Sequence, residues 1–467
     1  MSKHKTIIVW HRSDLRVHDH PALSAAIKEA DLVLPLFIFD DAILKGKFAS
    51  ANRHHFLRES LEDLRKSYKD RGGDIAFRHG DPKDELRKII KDTSATAIYY
   101  TADYSPRATT RDKELTDLLA GDDIEMRAFG GRLAVNQLQK LRTKNGDPYK
   151  VFTPFWKNWQ QVQRRELAPT PRVIKSPSIP MGTIPPDSTL GIHKSEVSPD
   201  ILPGGETAGR KRLKKFLNGP INEYHQQNND MAADTTSRLS SYFHFGCISV
   251  REVETLLPDT KGAQAWHRQL AWRDFYHYVL LHFPHPEQEF QERYRTFSWS
   301  KSTTHLEAWK EGKTGYPAVD AAMRQLKTEG WMHNRARLIV GSFLTKDLDI
   351  DWRDGERHFM EWLTDGDMAN NNGNWQWIAS VGVDPAPLFR RLYNPSSQRD
   401  KYDPTGEYVR RYVPELKNVP MKYLSQPWTM PDDLQKQSKC IIGKDYPKPI
   451  VDHSEARQRA LEKYRSL

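Results

Sequence analysis

TIIVWHRSDLRVHDHPALSAAIKEADLVLPLFIF (6–39) carries an apolar run, a helical stretch and a second apolar run. TIIVW (6–10) and LVLPLFIF (32–39) predict strands buried on both faces, and PALSAAIKEA (21–30) predicts the helix between them. The alternation continues. An amphipathic helix is predicted over 52–72, a strand at DIAFRHG (74–80) and a capped helix at DPKDELRKIIKD (81–92). AIYYTADY (97–104), a helix around 109–120 and IEMRAFG (124–130) complete the series. Five strands separated by helices predict a doubly wound parallel sheet. No G-x-G-x-x-G follows the first strand, so a dinucleotide is expected to bind elsewhere.

Outward from this block the composition changes twice. Residues 168–205 are rich in Pro, Ser and Gly with little periodicity, the pattern of a linker. Beyond 206 strand signals nearly vanish, and helices are predicted at 263–283, 317–330 and 334–348. The expected organisation is an α/β domain (1–132), an inter-domain linker (133–205) and a large all-α domain (206–467). A chain of 467 residues exceeds one ordinary core, in keeping with two domains. No 18-residue apolar run occurs and the first residues lack a signal peptide's order of regions, so a cytoplasmic protein without a membrane partner is expected. Two cysteines exclude a disulfide framework and a cysteine-based metal cluster. The net charge of +10 points to a polyanionic partner, with nucleic acid the commonest. Thirteen tryptophans, nine of them between Trp266 and Trp377, suggest that aromatic rings do more than pack.

Three segments carry candidate chemistry. TTSRLSSYFHFG (235–246) sets Thr236, Ser237 and Ser240 at a predicted helix start, where N–H groups favour an anion such as phosphate. GWMHNRARL (330–338) supplies Asn334, Arg335 and Arg337, and DGDMANNNGNWQW (365–377) supplies Asp365 and Asp367 followed by three asparagines. From residue types alone the acids suit an oxygen-ligated metal, an organic cofactor or a salt-bridged loop. On a helix, Gln269, Trp272 and Arg273 share a face, which suits either a core stripe or a flipped base that is stacked and hydrogen-bonded.

WHRSDLRVHDHPAL (10–23), TSRLS (236–240), AWRDFYHY (271–278), GWMHNRAR (330–337), KDLDIDWRDGERHFM (346–360), DGDMANNNGNWQW (365–377) and NPSSQRDKYDPTGEYVRRYVPEL (394–416) together resemble, in order, motifs of the DNA photolyase/cryptochrome superfamily. The chain is most similar to cyclobutane pyrimidine dimer photolyases of the class I type. The resemblance implies a reduced, U-shaped FAD contacted by Tyr224, Thr236, Ser237, Arg238, Leu239, Ser240, Trp266, Arg273, Asn334, Arg337, Asp365, Gly366, Asp367 and Asn371. Arg337 and Asp365 would pair against the flavin ring, with Asn371 facing its N5. It implies light-driven repair of UV-damaged DNA, with the flipped dimer received by Gln269, Trp272, Arg273, Asn334, Arg335, Leu338, Trp377 and Gln398. Trp375, Trp352 and Trp299 match an electron-hopping chain from surface to flavin. A monomer is expected, acting at the nucleoid if the source is bacterial, and no metal.

The chain departs from the pattern at Gln269, where class I enzymes carry Glu, and at Leu338, where they carry Met. Gln at that position is more typical of (6-4) photolyases, but Asn334 and Leu338 stand where those carry histidines. In YSPRATTRD (104–112), Arg107 and Ala108 replace the Asn-Glu pair that binds folate, so the expected antenna site holds a deazaflavin or a second flavin, or is empty. The rival reading is a blue-light receptor cryptochrome.

Overall fold

The structure is a computed structural model describing residues 4–466. β1 (His4–His11), β2 (Ala30–Phe39), β3 (Ala76–His79), β4 (Ala97–Thr101) and β5 (Glu125–Phe129) form one parallel sheet in the order β3-β2-β1-β4-β5. Helices Pro21–Glu29, Ala51–Lys69, Pro82–Thr93 and Pro106–Ala120 connect the strands, as the alternation predicts. Strand order reverses between β1 and β4, the topological switch point of the sheet.

The loop after β1 is the seam of the molecule. Asp14, fully buried, accepts hydrogen bonds from the Arg12 N–H at 2.8 Å and the Thr101 hydroxyl at 2.5 Å. His20 Nδ1 caps the following helix by accepting from the Leu23 N–H, so its protonated Nε2 faces Asp14 at 3.0 Å. Burial alone would raise the Asp14 carboxyl, but His20 and His11 hold it well below the usual range. Arg16, also buried, donates to the carbonyls of Gly246 (2.9 Å) and Gly131 (3.1 Å), and the Leu15 N–H donates to Phe245 O at 3.1 Å. At Gly246 (φ +66°) a Cβ would lie 2.1 Å from Ser13 O, so only glycine lets the two backbones meet there. One apolar core therefore runs from Ile7 and Val9 of the sheet through Phe56 to Tyr242, Trp266 and Phe275 of the helical half.

The expected linker is not featureless. Phe152–Gln161 is a helix whose buried Phe152, Phe155 and Trp159 pack on the long helix α1 (Lys261–His282). The linker expected over 133–205 takes its character from the Pro- and Ser-rich segment 168–205, and this short apolar stripe lies upstream of it. The remaining chain is helical: α2 (Asn334–Ser342), α3 (Trp352–Trp362) and α4 (Met368–Ala379) surround a second core that includes Trp309, Trp352, Phe359 and Trp375. The predicted helix 334–348 is α-helical only to Ser342. It continues as a single π-helical turn over Phe343–Asp347, with Lys346 buried and bonded to Ile378 O at 3.0 Å.

Candidate active site

α4 begins at Asp367, whose Oδ1 accepts from the Asn370 N–H at 2.9 Å and caps the helix. Its Oδ2 lies 3.2 Å from Arg132, which is 3.1 Å from Asp103 at the end of β4. His277 of α1 approaches the same carboxylate at 3.5 Å. Burial opposes ionisation of Asp367, yet His277, His244 and Arg132 hold its carboxyl well below the ordinary range. In turn, burial pushes His277 down to about 4. The preceding Gly366 has no room for a side chain, since a Cβ would lie 2.5 Å from Arg53 Nη1. Arg53, on the helix Ala51–Lys69, donates to Leu363 O at 2.9 Å and so clamps the 365–367 loop from the α/β side.

α2 begins at His333, which accepts from the Arg335 N–H at 3.1 Å through Nδ1. Arg337 donates to Met332 O (2.9 Å) and to Asp365 Oδ2 (2.8 Å), bringing together the ion pair expected from two segments 28 residues apart. α4 packs against both α2 and α1. Its contact with α1 is tight at Gly373, where a Cβ would lie 2.1 Å from the Tyr276 ring. Asn371, buried, donates to Glu356 O at 3.0 Å.

The other expected site residues divide. Trp266 is buried, with its ring 5.6 Å from Phe216 and 6.4 Å from Phe243. Tyr224 meets Phe216 edge-on at 6.2 Å. Trp272 stacks on Phe152 with ring centres 3.6 Å apart and 7° between planes. Trp377 lies under the Arg391 guanidinium at 4.0 Å. Asn334 and Gln269 are exposed, and Leu338 is half-buried against the second core.

Gln269, Trp272 and Arg273 all lie on α1, at the spacing that sets them on one side of the helix, but their side chains part. Arg273 donates to Arg132 O (3.0 Å) and Phe243 O (3.3 Å), so its guanidinium is drawn into the inter-domain seam while Gln269 faces solvent. Arg335 is likewise engaged, by Asn229 Oδ1 at 2.6 Å and over the Tyr402 ring at 4.3 Å. Arg238, in the left-handed region at φ 50°, reaches Glu329 at 2.8 Å and the face of Trp331 at 4.4 Å. The helix after TSRLS spans only Ser240–His244, with Leu239 buried at its cap. So short a helix has little dipole, and the hydroxyls of Thr236, Ser237 and Ser240 with the local N–H groups carry any phosphate contact.

Two contacts link the segments that carry Trp299, Trp352 and Trp375. Ser300 bridges to Ile350 in parallel, bringing Trp299 beside the start of α3 and Trp352. Gly355, one turn along α3 from Trp352, abuts the Trp375 ring. Trp375 is buried, 4.9 Å from Phe359 and 6.2 Å from Trp309.

Among the described residues, Thr236 Oγ1, Asp365 Oδ1, Trp299 Nε1, Trp375 Nε1, Trp377 Nε1 and Gln398 Oε1 are buried without a protein partner. A buried polar atom left unsatisfied costs about 1–3 kcal/mol, and such atoms mark places where a ligand completes the bonding. Other such atoms lie elsewhere among the described residues, Arg12 Nε and Ser380 Oγ for example, and of these six the Thr236 hydroxyl and the Asp365 carboxylate fit contacts to a cofactor with phosphates and a heteroaromatic ring. Arg53, Arg132, His277 and Glu356 also shape this site. His277 and Glu356 lie in the motifs AWRDFYHY and KDLDIDWRDGERHFM but do not stand out there, and Arg53 and Arg132 meet the site only through tertiary packing.

The fold and site define a two-domain protein with a parallel α/β half and a helical flavin-binding half. Residues 7–174 match the family model described as DNA photolyase, and residues 266–466 match the FAD binding domain of DNA photolyase. A deoxyribodipyrimidine photo-lyase of Streptomyces griseus is 40% identical over 98% of this chain and 99% of its own. A class III photolyase of Agrobacterium tumefaciens has the same fold with TM-score 0.94 at 36% identity, covering 99% of this chain and 98% of that one. A cryptochrome of Synechocystis follows with TM-score 0.89 at 30% identity, covering 99% of each chain. The chain belongs to the DNA photolyase/cryptochrome family.

Proposed function

We propose that this protein is a DNA photolyase that uses light to split cyclobutane pyrimidine dimers in DNA. The observation that carries the reading is the 2.8 Å Arg337–Asp365 pair on the loop before α4, with Asp365 Oδ1 buried beside it and unpartnered. That pairing supports a flavin ring lying along the salt bridge, with Asn371 at its edge. When bound, reduced FAD supplies light-driven electron donation that opens the cyclobutane ring without net redox change.

The chain's own residues do the rest. Thr236, Ser237 and Ser240 present hydroxyls to the phosphates, while Tyr224, Trp266 and Arg273, with the Arg238–Leu239 backbone, wall the cofactor. Arg132 holds Asp367, and Arg53 holds the Leu363 carbonyl, so the 365–367 loop keeps its shape when the ring binds. Asn371 presents an amide that cannot give up a carboxyl proton, which favours the anionic reduced flavin needed for repair. Trp272 and Trp377 offer ring faces to a flipped dimer. Gln269, Asn334, Arg335, Leu338 and Gln398 surround them, with amides to meet base edges. Trp375, Trp352 and Trp299 relay electrons inward to bring the flavin to its reduced form.

The partner is UV-damaged DNA, bound by a monomer, in keeping with the net charge of +10. Among the described residues no helix is long and apolar enough to cross a membrane. A second chromophore, deazaflavin or flavin rather than folate, would sit on the α/β half; at the folate-type position Arg107 is engaged by Asp40 at 2.9 Å. The class I subtype rests on the motif resemblance alone, and the Agrobacterium structure with TM-score 0.94 is of a class III enzyme.

The test is absorbance recovery of an oligonucleotide bearing one thymine dimer, mixed with the reduced holoprotein under blue light and in darkness, beside a (6-4) substrate. Recovery of the dimer in light alone is expected. Recovery of the (6-4) lesion alone would reassign the substrate. Photoreduction without repair of either would favour the receptor reading, for which the Synechocystis cryptochrome's TM-score of 0.89 is the supporting likeness.

A further inference from the structure

Glu289 lies outside every motif above, yet its carboxylate is buried, 4% exposed, in the second half of the chain. It makes two contacts. Oε1 accepts from the indole Nε1 of Trp352 at 3.3 Å, and Oε2 pairs with Arg353 at 2.7 Å. The same Arg353 guanidinium covers the Trp352 ring at 4.6 Å from its centre. Trp352 is fully buried. Arg353 is fixed further by Asp351 at 3.1 Å and Glu287 O at 2.9 Å. The indole is thus held between a cation on its face and an anion on its N–H.

We propose that Glu289 is a positioning residue that tunes Trp352 as the middle carrier of the electron chain. This rests on the reading of Trp375, Trp352 and Trp299 as that chain. A positive charge over an indole makes removal of an electron harder, and inside a protein that penalty is poorly screened. A carboxylate on the N–H acts in the opposite sense, because it stabilises the positive charge that the ring acquires. Neither Trp375 nor Trp299 has this arrangement, their Nε1 atoms being buried and without a protein partner. Trp299 faces the Lys463 ammonium at 4.8 Å, which pairs with Asp349 at 2.5 Å, but no carboxylate bonds its indole N–H.

The redox step balances without chemistry at Glu289. Trp375, once oxidised by the light-excited oxidised flavin, takes one electron from Trp352. Trp352 then takes one from Trp299, which a thiol reductant in solution refills. The oxidised middle ring is short-lived and must be neither a trap nor a barrier, so its charge environment sets how many holes reach Trp299 before they recombine.

The test uses the FAD-loaded protein and flash absorption to follow arrival of oxidised tryptophan at Trp299. Glu289→Gln keeps a hydrogen-bond acceptor for the indole but removes the charge, and a tenfold or larger fall in that yield is expected. Arg353→Met is expected to hold the yield at or above that of the parent. The double variant E289Q/R353M, with neither charge, is expected to return within threefold of the parent. Flavin content and thermal midpoint of each variant report folding separately. A yield for E289Q within twofold of the parent, while Trp352→Phe abolishes the signal, overturns the proposal and leaves the chain reading intact. A double variant as impaired as E289Q also overturns it, because a packing defect would not be cured by removing the second charge. Full photoreduction in Trp352→Phe refutes the chain reading itself.

Discussion

Replacing Gly355 by alanine inserts a methyl group where α3 meets the Trp375 ring. The new Cβ would lie 2.2 Å from Trp375 Cη2, 2.5 Å from Cζ3 and 2.6 Å from Leu344 Cδ2. Carbon atoms rest at about 3.5–4.0 Å, so the ring or the helix must move by more than about 1 Å. The ring has little room to yield, with Phe359 at 4.9 Å and Trp309 at 6.2 Å on other sides. Overpacking of this kind costs about 1–3 kcal/mol. For a helical half of this size that is a fall in Tm of roughly 3–10 °C. Differential scanning fluorimetry of the FAD-loaded protein measures it. Gly121→Ala is the control, since Gly121 has helical backbone angles and a Cβ there meets Leu118 O at an ordinary 3.5 Å. It should stay within about 0.5 kcal/mol of the parent. Because the displaced ring is Trp375, photoreduction should fall along with Tm in G355A. A Tm within 1 °C of the parent and unchanged photoreduction would refute the claim that α3 and Trp375 are in rigid contact.

Asp365→Ala removes the partner of a half-buried arginine, an effect of about 1–3 kcal/mol, and should yield protein with little flavin by its visible absorbance. Trp377→Ala should weaken binding to dimer-containing DNA by roughly 5- to 150-fold, the worth of about 1–3 kcal/mol for one stacked base. Undamaged DNA, measured by fluorescence anisotropy at fixed salt, should be affected far less. His277, pushed down to about 4 from an ordinary value of 6.5, stays neutral when folded while the unfolded chain takes up a proton. Its contribution is present above pH 6.5 and is lost as pH falls towards 4, by up to about 3 kcal/mol. Urea unfolding of His277→Gln between pH 7 and pH 4.5 should show a shallower acid loss than the parent, and equal slopes would refute it.

The sequence by itself determined the alternation of buried strands and amphipathic helices, because a two-sided strand needs an unbroken apolar run and a helix shows its period locally. It also pointed to candidate chemistry: DGDMANNNGNWQW and GWMHNRAR place acids, amides and arginines at spacings legible without coordinates. Tertiary structure decided which of those groups are available. Arg273 and Arg335 look alike in a list of basic residues, yet one is drawn to carbonyls of the seam and the other to Asn229. The clamps Arg53 and Arg132, and Glu289 on Trp352, were invisible because each acts on a group many tens of residues away, or more than two hundred. The π-helical turn at Phe343–Asp347 was hidden for a related reason. Buried Lys346 is satisfied there by Ile378 O and the Tyr464 hydroxyl, partners that local periodicity does not contain.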